Sequence, residues 1–218
     1  MRMEPPWKGE LSPAEQEVIE KGDWNSTLEE AYESGAIGDN PAVVVVDVQQ
    51  FMLGPDAPVE EACEEYRAAC GERGWDAVDE IAELLSAARA NDVPIYYFKA
   101  GAGRFDSEAR RIAEQIQPTE DDEVIEKPEP SGFFGTDFAV RLNRDDIDTL
   151  VVTGGSTCGC VRATVDDANM EGYGVIVPPE CVFDRVDISH KASLLDIWMK
   201  RGNVVSRERT EEYLSQTA

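Results

Sequence analysis

The sequence predicts an α/β fold, a three-layer α/β/α sandwich with a mostly parallel central sheet. Two observations carry this. Short apolar runs alternate with longer amphipathic stretches along most of the chain, the pattern of a sheet covered by helices. One of those runs, "PAVVVVD", holds four consecutive valines. A strand with one wet face alternates polar and apolar residues, so this run fits a central parallel strand buried on both sides.

Residues 1–40 read as a polar, proline-bearing and peripheral N-terminal extension, partly helical. Residues 41–218 read as one domain. In the extension, "SPAEQEVIEKGDW" and "STLEEAYESGA" each open on a capping residue and predict short helices. After the valine strand, "GWDAVDEIAELLSAARAND" is an amphipathic helix with Val78, Ile81, Leu85 and Ala88 on one side. "VPIYYFKA" is the next strand, "FDSEARRIAEQI" a helix candidate, and a short strand precedes Lys127. The alternation then repeats. "DTLVVTG", "YGVIVPP" and "NVVS" are strands, with "CVRATVDDANMEG" and "DISHKASLLDIWMKRG" the helices between them. Crossovers between parallel strands are right-handed.

Composition narrows the function. The chain of 218 residues carries 45 acidic against 20 basic side chains, a formal net charge of -25. The basic set is 14 Arg and 6 Lys, with no basic patch to meet phosphates, which argues against nucleic acid as a partner. The acids are scattered through stretches such as "EEACEEYRAACGER" and "PTEDDEVIEKPEP". That distribution suits a solvated acidic coat, as in a halophilic protein working in concentrated salt, better than a site for cationic partners. No apolar run approaches the ~20 residues that cross a bilayer, and "MRMEPPWKGELSPAEQEV" lacks the apolar segment of a signal peptide. The expectation is a cytoplasmic protein without a membrane partner.

The cysteines stand at 63, 70, 158, 160 and 181, too few and too irregular for a secreted disulfide scaffold. Cys63 and Cys70 fit one helix face but a poor metal spacing. Cys158 and Cys160 lack the two-residue gap of zinc knuckles. The single histidine, His190, has a surface or packing role, so neither a metal nor another cofactor is expected.

Ligands of parallel sheets bind outside the carboxyl ends of the strands. Asp47 closes the valine strand there, and "GGSTCGC" closes "DTLVVTG". With a helix beginning near Gly159, Cys160 falls in its first turn, where amide protons and the helix dipole favour thiolate. Cys160 is then a nucleophile, or else a buried filler. Cys158 is a pocket wall, a redox partner or an inert thiol. Asp47 is a proton acceptor of raised pKa, or a turn former. Gln49 and Gln50 offer amide contacts. Lys127, fixed by Pro128 and Pro130, is suited to hold a carboxylate and steady a thiolate. Phe133 and Phe134 are pocket walls or core. The glycines match neither a GxxxxGK[ST] loop nor G-x-G-x-x-G, and Ser156 lies in no G-x-S-x-G elbow.

Over roughly residues 32–205, "PAVVVVDVQQFM", "KPEPSGFFGTDFAVRL" and "DTLVVTGGSTCGCVRATVDDANMEGYGVIVPPECVFDR" resemble, in order, the isochorismatase-like superfamily of cysteine hydrolases, whose fold is Rossmann-like. Within it the chain looks most like the N-carbamoylsarcosine amidohydrolases. The resemblance implies a catalytic triad of Asp47, Lys127 and Cys160. It implies a non-proline cis peptide at Gly155–Ser156 and an oxyanion hole from the amides of Ser156 and Cys160. It implies that Arg185 grips a substrate carboxylate; Phe133, Phe134 and Gln49 join it as substrate-binding candidates on the residue grounds given above. Gly155, Ser156, Cys181 and Phe183 depart from the family pattern, the last two in a position to reshape the pocket. Nicotinamidases of the superfamily bind a metal through an aspartate and histidines after the first strand. "VVDVQQFMLGPDAPVE" has no histidine. The expected activity is hydrolysis of a small carboxylate-bearing ureide or amide, by a homo-oligomer that family behaviour suggests is often a tetramer. The rival readings are another small amide or enol ether substrate, and a catalytically inactive binding member of the fold.

Overall fold

A computed structural model describes residues 4–22 and 27–217. Two short helices, α1 (Pro13–Lys21) and α2 (Leu28–Glu33), precede the sheet. Each opens on a capping box, in which Ser12 or Thr27 accepts from the backbone three residues on and a glutamate returns the bond. The main body then runs β1 (Pro41–Val46), α3 (Gln50–Leu53), α4 (Val59–Glu65), α5 (Glu72–Ala90), β2 (Ile95–Lys99), β3 (Glu123–Glu126) and α6 (Phe138–Arg144). It continues through β4 (Thr149–Gly155), α7 (Arg162–Met170), β5 (Gly174–Val177), β6 (Val182–Phe183), α8 (Asp187–Lys200), β7 (Asn203–Val204) and α9 (Arg207–Gln216).

Among the described residues, seven strands form one sheet in the order β3-β2-β1-β4-β5-β7, and β6 pairs with the end of β4. Every strand pairing is parallel. The valine run explains the centre. Val43 and Val45 face a core built with Ile81, Leu84, Leu85 and Ala88 of α5 and Leu214 of α9. Ala42, Val44 and Val46 face the other layer, with Phe138 of α6, Val165 of α7 and Leu194 and Ile197 of α8. All four valines are buried, and each such side chain contributes about 1.5–3 kcal/mol through lost apolar hydration. Strand order reverses between β1 and β4, so the carboxyl ends of these two strands form the topological switch point, where sheets of this kind bind their ligands.

Three expectations need correction. The segment 105–116 is not a helix; within it only Glu114–Ile116 forms a 3-10 turn. Its backbone is committed elsewhere. The carbonyls of Ala109 and Arg111 accept from the amides of Phe51 and Gln50, and Ala113 donates to Val48. Pairing across to the β1–α3 turn outweighed local helix propensity. The segment ahead of β1 is not merely peripheral, because Trp7 is buried against Trp198 and Leu28 and Ala31 join the α5 core. Cys63 and Cys70 share no helix, since α4 ends at Glu65. Among the described residues no helix is long and apolar enough to cross a membrane.

Candidate active site

The chain leaves β1 through Asp47, whose φ of 50° is left-handed, a region residues other than glycine enter at a cost. Asp47 is 1% exposed. Its Oδ2 lies 2.8 Å from Lys127 Nζ, and both side chains are buried. Lys127 follows β3, and its amide continues the ladder by donating to Lys99. Its ammonium also donates to the carbonyls of Glu129 (3.1 Å) and Pro130 (3.0 Å), so all three protons are used. Prolines 128 and 130 fix φ around those carbonyls. Asp47 Oδ1 is buried without a conventional hydrogen-bond partner.

β4 delivers the cysteine turn to the same place. Gly154 pairs with Val46 and has φ 97°; a Cβ there would stand 2.1 Å from the Val46 carbonyl oxygen, so only glycine fits. The Gly155–Ser156 peptide bond is cis. A π-helical turn, Thr157–Val161, carries Cys160, and α7 starts only at Arg162. Cys160 is therefore not in the first turn of an α-helix. The expected depressed thiol is corrected as well. Burial, then the negative charge of Asp47, push the Cys160 thiol up to about 12 against the pull of Lys127. Burial also raises Asp47, with Lys127 and the Cys160 thiol pulling it back. The resting pair is a neutral thiol beside a carboxylate of raised proton affinity.

Three side chains that sequence reasoning missed pin this turn. Thr164, one helical turn on from Cys160, donates to the Cys160 carbonyl (2.8 Å) and accepts from the Gly132 amide (3.0 Å). Asp184, after β6, accepts from the amides of Cys158 and Arg185, both at 2.9 Å. His190 Nδ1 lies 2.8 Å from the Thr157 hydroxyl, and burial lowers its pKa. The i, i+4 spacing of Cys160 and Thr164 was the only one of these signals present in the sequence.

The remaining candidates divide. Arg185 follows Asp184 on the same sheet edge and donates from Nη1 to the Ala68 carbonyl (3.4 Å). Gln49 is fully buried and its amide is spent on backbone: Oε1 accepts from Ala100, and Nε2 donates to Arg110 (2.9 Å) and Ala100 (3.4 Å). It is a brace for the β1–α3 turn, which leaves it no hand for a substrate. Phe133 packs on Phe138 and Tyr173, whereas Phe134 is 65% exposed. Cys158 is exposed. Cys181 is fully buried in the α5 core, with its thiol pushed well up by burial. Gly155 and Phe183 fit together sterically. A Cβ at Gly155 would lie 2.2 Å from the Phe183 ring, so the phenyl occupies the room a side chain at 155 would need. Among the described residues, no three or more His, Cys, Asp or Glu stand together in a way that would hold a metal ion.

Residues 41–209 match the Isochorismatase domain family. The N-carbamoylsarcosine amidase of an Arthrobacter species is 30% identical over 225 residues, spanning 87% of this chain and 81% of that protein. Maleamate amidohydrolase of Pseudomonas putida is 32% identical over 201 residues, spanning 83% and 90%. A cysteine hydrolase from Pseudomonas syringae superposes with a TM-score of 0.72 at 23% identity, covering 83% of this chain and 94% of its own. With its parallel sheet and a match over most of its length, the chain belongs to the isochorismatase family of hydrolases.

Proposed function

We propose that the protein is a cysteine amidohydrolase that cleaves a small carboxylate-bearing amide or ureide through a covalent intermediate on Cys160. The observation that carries this reading is the convergence of Lys127, Asp47 and the Cys160 thiol at the switch point of the sheet. The two relatives named above support the substrate class, since N-carbamoylsarcosine and maleamate each carry a carboxylate a few atoms from the C–N bond that is cleaved.

The proton inventory dictates the order of events. The thiol is neutral at rest, so it attacks only as its proton leaves for Asp47. Asp47 Oδ1, the oxygen not held by Lys127, is the free acceptor. Lys127 keeps a positive charge beside the pair and lowers the cost of the transient thiolate. The carbonyl oxygen, as it becomes an oxyanion, is received by the amides of Ser156 and Cys160; loss of one such donor typically costs about 3 kcal/mol. Asp47 returns its proton to the departing ammonia or amine. Water, activated by the same carboxylate, then attacks the thioester-like intermediate and frees the thiol. For N-carbamoylsarcosine the products are sarcosine, ammonia and carbon dioxide. The Arg185 guanidinium anchors the substrate carboxylate.

The test is ammonia release from N-carbamoylsarcosine, maleamate and uncharged ureides and amides, measured for the protein and for Cys160→Ala. Release that favours the acids and vanishes in the variant is expected. Equal release by the folded variant rejects the nucleophile, and release from uncharged compounds alone rejects the substrate class.

A further inference from the structure

We infer that Asp184 is a positioning residue that ties the nucleophile turn and Arg185 to one carboxylate, so that thiol and substrate anchor are set in register by a single group. The role of Arg185 in this inference rests on the function proposed above; the hold on the turn does not.

The inference starts from placement. β6 pairs only with the last two residues of β4, Val182 opposite Gly154 and Phe183 opposite Gly155. The next residue, Asp184, therefore stands at the level where β4 gives way to the cysteine turn. It is 3% exposed. A carboxyl group so deeply buried is costly unless its oxygens find donors. Here each oxygen has one: Oδ2 accepts from the Cys158 amide and Oδ1 from the Arg185 amide, both at 2.9 Å. Bonds to a charged acceptor are roughly twice as strong as neutral ones. A serine or asparagine offers a single acceptor atom, whereas the carboxylate gives each amide its own oxygen. One amide lies two residues before Cys160, and the other belongs to the residue whose guanidinium leans on the Ala68 carbonyl.

The neighbourhood agrees. The Thr157 hydroxyl, one residue before Cys158, is held by His190, itself within the field of Asp184. Cys70, next to the Ala68–Ala69 segment, also feels both Asp184 and Arg185. The turn and the anchor thus share one cluster. Nothing in the proton transfers above uses Asp184, so its burial is explained by what it holds.

The experiment separates hold from chemistry by alkylating Cys160 without turnover. The full-length protein is treated with iodoacetamide, which is neutral, and iodoacetate, which carries a carboxylate. Adducts at Cys160 and Cys158 are resolved by tandem mass spectrometry, and rates are normalised to free cysteine. In the unmodified protein Cys160 should favour iodoacetate, and Arg185→Gln should remove that preference. Asp184→Asn keeps the shape but turns one acceptor into a donor. It should slow Cys160 alkylation by iodoacetamide about tenfold, as expected for one lost bond to a charged group, and remove the iodoacetate preference as well. Unchanged rates, or a change in only one of the two readouts, would overturn the coupling. Should Asp184→Asn fail to fold by thermal melting, Asp184→Glu replaces it; wild-type behaviour of both readouts there has the same adverse meaning. Failure of the hydrolase reading would show separately, as absent ammonia release with the alkylation pattern intact.

Discussion

The buried pair of Lys127 and Asp47 yields the sharpest expectation. Their charged atoms are 2.8 Å apart and both side chains are 1% exposed. At an effective dielectric of about 20 the attraction at that separation is about 6 kcal/mol, most of it offset by the cost of desolvating both ions. The net value of the pair is therefore modest, but removing one partner leaves the other stranded, at about 3–5 kcal/mol. Lys127→Met should show the full penalty, because it also deprives the carbonyls of Glu129 and Pro130 of their donor. Asp47→Asn should fall in the same range. The double variant removes both charges and should be more stable than the sum of the single losses implies, by about 2–3 kcal/mol. Urea unfolding of the four proteins measures this. The pH dependence adds a check. Without Lys127 nothing cationic opposes burial at Asp47, so its folded pKa rises further above the unfolded value. The folded state then binds the extra proton, and the Lys127→Met deficit should shrink as pH falls toward the unfolded carboxylate range and grow as it rises. Losses that add to within about 0.5 kcal/mol would refute the reasoning.

Three further outcomes are expected. Gly155→Ala should destabilise the fold by about 1–3 kcal/mol through its clash with the Phe183 ring, and Phe183→Ala in the same chain should recover part of it; an undiminished loss in the double variant would mean the ring is not the obstacle. Alkaline stability should fall from about pH 9, because Cys70 and Cys160 ionise near 12 when folded but close to 9.0 when unfolded, so the unfolded chain releases protons first; a Cys70→Ala, Cys160→Ala chain that loses stability as steeply would contradict this. The melting temperature should rise in molar KCl, since the net charge of -25 makes screening of self-repulsion outweigh the weakening of surface pairs such as Arg144 with Asp145; an unchanged melting temperature would refute the salt requirement.

How much of this was legible in the sequence varies residue by residue. The valine run announced the central strand because a doubly buried strand has no polar face to confuse the pattern. Asp47 and the cysteine turn could be put on one edge because every parallel strand ends on the side opposite its start. Lys127 had weaker local grounds: a buried ammonium satisfied by two carbonyls and a carboxylate looks, as letters, like any lysine between acids. The segment 105–116 misled because its helical spacing of Ala109, Ile112 and Ala113 also serves a loop whose buried residues face the β1–α3 turn. The π-helical turn was invisible since one inserted residue leaves no compositional mark. Asp184 and His190 reach the turn from 26 and 33 residues away in sequence, contacts that periodicity does not encode.

The most direct test of the central claim is mass spectrometry of the protein quenched in acid during turnover of a substrate found in the ammonia-release panel. An acyl adduct on Cys160, absent from Cys158 and from the Cys160→Ala chain, is the expected result. Turnover with Cys160 unmodified throughout, or an adduct on Cys158 instead, would contradict it.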